Sequence, residues 1–334
     1  MKGNQDKIKH MINRYYHYIC NDIEKELYAT ILDGLMEYQE EIYFYNKPNV
    51  TPTLIGQLFK MVLYDNPRIF YTSTQGYQIG SSFTTLVLKP KYFFPLQSVL
   101  ELQEWLDERI VEICRPIIGL EDQFSKEIYI HNYLVENIQY SHSAVAQPIN
   151  AYTVVGTLLE NNSVCAGVAL SFKLLMDYLD ISCIVATGIA TNNAGITERH
   201  AWNLVYIDDS YYQMDVTWDL LDGQKDWVIK YDYFNLTTQE MYQSRVPDYE
   251  YPLCFNQFYN YFVYMNAVVH SPNELTAFVS NQILGGEKRI YFKYTFDSRE
   301  MKTNLPRYLR RIPLLGRFQY WINEIMHTVL VMRI

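Results

Sequence analysis

At 334 residues, with 49% apolar and 16% aromatic content, the chain can bury a sizeable core and exceeds one typical domain. A net charge of −9 argues against nucleic acid as the default partner. Five scattered cysteines suggest no disulfide framework, and with no zinc signature, no secretory leader and no bilayer-length apolar run, the chain is expected in a reducing cytoplasm without metal or cofactor.

Residues 5–45 read as one or two amphipathic helices, with Ile8, Met11, Ile12, Tyr15, Ile19, Ile23 and Leu27 on one face. Thr51-Pro52 opens another helix that stops at Asp65-Asn66-Pro67, and Ile69-Phe70-Tyr71 starts a short strand. Gly and Ser punctuate a hairpin between about 71 and 94. This first stretch, 1–95, holds no cluster of reactive side chains and reads as a cap or recognition appendage. A long helix follows over Leu96–Cys114, then a second from about Glu121 to Asn137, in which His131 reads as a packed or solvated residue. Tyr140 to Asn150 reads as loop.

The stretch from Ser163 to Asp219 carries the chemistry. Ser163 is a good N-cap, so Cys165 falls in the first turn of an apolar helix, where the helix dipole favours thiolate over thiol. Gly167 leaves that surface without a side chain and so open to a substrate. The plainer reading of Cys165 is a small buried apolar residue. After a strand and a polar loop, 200–207 and 211–218 read as a hairpin turning at Asp208-Asp209. That register sets Ile207 opposite Ser210 and His200 opposite Thr217, and it turns Asp215 to the face of His200. A slip of one residue would turn it away.

Cys-x-Gly at a helix start, His200-Ala201-Trp202-Asn203, and Asp215-Val216-Thr217-Trp218-Asp219 together resemble the transglutaminase-like superfamily, particularly its bacterial branch, over roughly 125–220. The resemblance implies an α+β, papain-like core in which a helix bearing the cysteine packs on an antiparallel sheet. It also implies Cys165 as nucleophile, His200 as general base and acid, and Asp215 as the carboxylate that orients His200. Asn150-Ala151-Tyr152 matches the approach to the cysteine, whereas Val168 stands where many relatives carry an aromatic residue. Tyr152 and Gln147 are candidate oxyanion partners beside the backbone N–H of Cys165, and Gly167 and Trp202 are candidate substrate-edge residues.

The expected reaction is thiol-dependent hydrolysis of a peptide or amide in a peptide or protein substrate. The alternatives are transamidation, ligation or cyclisation with an amine acceptor, or a non-catalytic binding scaffold on the same fold. The catalytic core is expected at 96–245, with Pro247 to Pro252 as linker and 246–334 as a small α+β unit. In that unit Tyr259–Val269 reads as a strand pair, and Glu300–Arg311 as helical despite Pro306. Ten Lys and Arg from Lys288 onward face three acids there, either a solvated face or a docking surface for an acidic partner.

Overall fold

The computed structural model describes residues 14–45, 50–82, 84–142, 149–192, 194–221 and 229–334, so Ile8, Met11, Ile12 and Gln147 lie outside the described residues. The chain begins with α1 (Tyr15–Ile19) and α2 (Asp22–Met36), the latter opened by a reciprocal Asn21–Glu24 capping box. Next come β1 (Ile42–Tyr45), α3 (Pro52–Asp65) with Thr51 as cap, β2 (Tyr77–Ser82) and β3 (Thr85–Pro90). β1 corrects the helical reading of 5–45. Ile42 and Phe44 point inward while Tyr43 and Tyr45 point out, a period of two, and β1 pairs with β3 through Ile42↔Leu88. Ile69-Phe70-Tyr71 is buried in a turn rather than a strand.

α4 (Leu96–Cys114) and α5 (Gln123–Asn137) precede β4 (Gln139–Tyr140), a 3₁₀ turn at Ile149–Tyr152, α6 (Val154–Leu158) and β5 (Asn162–Ser163). β4 therefore begins what the sequence suggests is loop, pairing in parallel with β5. α7 (Cys165–Tyr178) then packs on a four-stranded sheet made by β6 (Cys183–Thr191), β7 (Thr197–Ile207), β8 (Ser210–Met214) and β9 (Arg245–Pro247), in the order β8-β7-β6-β9. α8 (Val216–Asp219) and α9 (Thr238–Met241) lie between β8 and β9. Apolar residues from Cys20 to Phe234, including Leu27, Phe59, Leu134 and Phe172, form one continuous core, so both sides of position 95 pack together.

The C-terminal part has its own core around Phe262, Leu275, Phe292 and Val331. It contains α10 (Tyr261–Tyr264), β10 (Val268–Val269), α11 (Pro272–Leu284), β11 (Arg289–Tyr294), α12 (Ser298–Arg310), β12 (Phe318–Asn323) and β13 (Thr328–Arg333). The strand pair expected at Tyr259–Val269 is replaced by α10 and two residues of β10, since Tyr261 leaves the strand direction to stack on Tyr231 at 3.6 Å. α12 runs through Pro306 because Met301, Leu305 and Leu309 bury one continuous face.

One buried group in the core makes stability depend on pH. Glu127 on α5 has no solvent exposure, and its Oε2 accepts from Asn235 at 2.7 Å while Oε1 has no partner among the described residues. Burial raises its carboxyl from 4.5 to about 8, against the lowering effect of the Asn235 hydrogen bond. A carboxyl raised on folding favours the folded state below its unfolded value, and this contribution is lost as pH rises from there toward 8. Glu127→Gln carries no such proton. Urea midpoints of the two proteins should therefore diverge in favour of the variant from about pH 4.5 to 8, by at most about 1.4 kcal/mol per pH unit, and run parallel above that.

Candidate active site

The β7–β8 hairpin turns at Asp208 and Asp209, both left-handed with φ of 44° and 61°, and pairs Ile207 with Ser210 through to Asn203 with Met214. This is the anticipated register, but the ladder stops at Met214 rather than continuing to Trp218. Asp215 instead leaves the strand as the cap of α8, its Oδ1 accepting from the Trp218 N–H at 3.4 Å. From there its Oδ2 reaches His200 Nε2 at 2.7 Å, and both side chains are buried.

Cys165 is the first residue of α7, a position whose backbone N–H has no acceptor within its own helix. The cap is Val164, not Ser163. The Ser163 hydroxyl lies within hydrogen-bond distance of the Thr157 hydroxyl at 2.7 Å, and of the Ala151 and Val164 carbonyls at 3.1 Å each. Cys165 is half-buried and faces His200 closely enough to raise its imidazole. With Nε2 on Asp215, Nδ1 is the ring nitrogen left for sulfur. The helix is held at this height by Asn203, whose Nδ2 donates to the Ala169 carbonyl at 3.0 Å.

The electrostatics follow from burial against pairing. Burial disfavours the charged imidazole of His200, but the Asp215 carboxylate, its hydrogen bond and the facing Cys165 outweigh it and lift the ring to about 9. Burial alone would raise Asp215 as well; His200 and Arg245 hold it down at about 2. Arg245 sits on β9, in the stretch where the sequence suggests that the core ends and a linker starts. Its Nη2 donates to the same Asp215 Oδ2 and its guanidinium carbon lies 3.6 Å from the Trp218 ring centre. No local sequence signal marks Arg245, because its partner is thirty positions away.

The other sequence candidates divide. Tyr152 is exposed, and half-buried Tyr140 on β4 lies within electrostatic reach of both Tyr152 and Cys165. Burial pushes the Tyr140 phenol up. Gly167 is not a clearance for substrate: a Cβ there would come within 2.3 Å of Ser163 Oγ and 2.6 Å of the Ala151 carbonyl oxygen, so the missing side chain serves packing. Trp202 is not at an edge either. It is buried, with its indole N–H donating to Gln213 Oε1 at 2.7 Å. Val168 is buried in the core and so shapes packing rather than a pocket. Among the described residues no group of His, Cys, Asp and Glu is arranged to hold a metal ion, and no helix is long and apolar enough to cross a membrane.

Residues 112–216 match the transglutaminase-like superfamily, and in this α+β fold that segment sets its cysteine helix on an antiparallel sheet. Among solved structures, a candidate cysteine protease from Cytophaga hutchinsonii is 15% identical with a TM-score of 0.28, the match covering 42% of this chain and 61% of that one. A TGase is 14% identical with a TM-score of 0.32, over 56% of this chain and 53% of its own. The periplasmic domain of TgpA from Pseudomonas aeruginosa, bound to ethylmercury, is 12% identical with a TM-score of 0.26, over 46% and 69% respectively. Likenesses of this size assign neither activity nor substrate. No curated protein matches the chain.

Placing Trp202 in the core has a measurable consequence. Trp202→Phe removes the donor to buried Gln213 and should cost about 1–3 kcal/mol in urea unfolding. The rate of Cys165 alkylation by iodoacetamide should stay within about twofold of wild type, since the indole N–H bonds Gln213 rather than the residues of the site.

Proposed function

We propose that the chain is a thiol-dependent acyl-transfer enzyme that hydrolyses a peptide or amide bond of a peptide or protein substrate. The observation that supports this reading is the grouping of Cys165, His200 and Asp215, with His200 bonded to Asp215 and raised in part by the facing Cys165. The sulfur attacks the carbonyl carbon while His200 holds its proton. The oxyanion that forms faces the start of α7, where the Cys165 N–H has no acceptor within its own helix and the helix dipole is positive. His200 then passes the proton to the leaving amine, whose bond to carbon breaks to give a thioester. Water attacks next, giving a proton to His200, and the acid leaves as the thiol recovers its proton. Asp215 fixes the ring so that one nitrogen meets sulfur throughout. Since all five cysteines are free thiols, the compartment that suits this chemistry is a reducing one, such as cytoplasm.

The imidazolium is lost as pH rises through about 9, so turnover should fall on the alkaline side of that value. Labelling by iodoacetamide tests the assignment, with one precaution. Cys20, Cys114, Cys183 and Cys254 are buried, so faster labelling of Cys165 alone reports only access. The informative comparison is His200→Ala, which should slow Cys165 alkylation at pH 6.5 about tenfold or more. Asp215→Asn should lower peptide hydrolysis by about 10²–10⁴ with little change in KM. If His200→Ala labels as fast as wild type, the activated-thiol assignment is wrong and a binding scaffold takes its place. Incorporation of a primary amine instead of water into the product would move the reaction to transamidation.

A further inference from the structure

Arg245 lies outside the segment that matches the superfamily, yet it touches the centre of the site. Its side chain has no solvent exposure. Nη1 donates to Ser244 Oγ at 2.7 Å, Nη2 to Asp215 Oδ2, and Nε has no partner among the described residues. The guanidinium lies over Trp218 at 3.6 Å and over Tyr233 at 4.9 Å. A buried cation with an unmet donor is costly unless an anion fixes it, and among the described residues the anion it touches is the carboxylate that also holds His200.

The backbone is arranged to bring it there. β9 adds to the edge of β6 by only three pairs, among them Gly188 with Pro247, and Gly188 is also the partner of His200 across the β6–β7 ladder. A Cβ on Gly188 would stand 2.2 Å from the Val246 carbonyl oxygen, so the missing side chain admits β9. Asp248, just past β9, accepts from Thr187 Oγ1 at 2.8 Å and from Arg199 Nη1 at 2.8 Å, which fastens the strand.

We propose that Arg245 is a positioning residue of the acyl-transfer site: it pins the Asp215 carboxylate against His200 and tempers the hold of that carboxylate on the imidazolium. The proposal rests on the triad reading above. With Arg245 in place, the Arg–Asp pair is neutral and His200 can both take a proton and give it up to the leaving amine. Without it, a lone buried carboxylate would grip the imidazolium and make it a poorer acid. Five other groups complete the surroundings: Cys165 from α7, Tyr140 from β4, Tyr233 after α8, and Glu198 and Arg199 on the strand of His200 itself.

The experiment uses full-length wild type, Arg245→Gln and Arg245→Lys, with the His200 imidazole titration followed by NMR and Cys165 alkylation by peptide mapping. Removing the positive charge favours the imidazolium, so Arg245→Gln should raise the His200 titration by about one pH unit. Arg245→Lys keeps the charge but not the flat face between Trp218 and Tyr233, so the titration should stay near wild type while alkylation slows severalfold. A folded Arg245→Gln with a wild-type titration overturns the proposal and leaves Arg245 a structural cation. If Arg245→Gln does not fold, Arg245→Lys decides: slowed alkylation supports the proposal, and a wild-type rate overturns it. The triad reading fails by a separate sign, namely unslowed alkylation in His200→Ala, and the His200 titration reports on Arg245 even then.

Discussion

A carboxylate shut away from water must be paired or it will take a proton, and the centre of this protein is organised around that requirement at Asp215. Its side chain has no exposure, and one oxygen serves both His200 and Arg245. The two partners arrive from different strands, β7 and β9, so satisfying the carboxylate also fixes the order of the sheet. Gly188 is where these needs meet, with His200 across one ladder and β9 pressed against its bare Cα on the other. Packing, sheet topology and site electrostatics are therefore one constraint seen at three scales.

The cysteine is placed by a separate set of contacts. α7 is held on the sheet by Asn203 through the Ala169 carbonyl and by Lys173 through the Cys183 carbonyl at 2.8 Å. At its start, Gly167 lets the helix settle onto Ser163 and the Ala151 carbonyl. The sulfur thus reaches His200 from a rigid element rather than a loop, which limits how far a nucleophile can drift from its base.

How much of this was legible follows from the range of each interaction. The hairpin was, because alternation and an Asp-Asp turn fix register within fifteen residues, and register alone sets His200 and Asp215 on one face. The end of β8 was not, although Asp215 three residues ahead of Trp218 has the spacing of a helix cap. Arg245 was illegible for a stronger reason. An isolated arginine in a polar stretch gives no sign that it will be buried; only the approach of β9 to β6 makes it so. Gly167 illustrates the opposite case, a residue singled out correctly for the wrong cause, since sequence does not tell clearance for a ligand from clearance for the protein's own backbone. β1 was misread because a short strand after a helix inherits the helical pattern ahead of it.

A second histidine–aspartate pair in the same core indicates what makes the first one special. His131 Nε2 and Asp219 Oδ2 lie 3.2 Å apart, both fully buried, with Asp219 also accepting from the Tyr233 N–H. Burial raises Asp219 to about 6, whereas Asp215, with a cation on either side, is held near 2. The decisive difference is at the other ring nitrogen. His131 Nδ1 meets the side-chain oxygen of Asn132 at 3.1 Å, which closes the pair off, while His200 has a half-exposed thiol on its far side. The same two residue types, in contact and in the same core, serve as a structural clamp in one place and as candidate acid–base machinery in the other. Which role they take depends on what faces the free nitrogen and whether solvent and substrate can reach it.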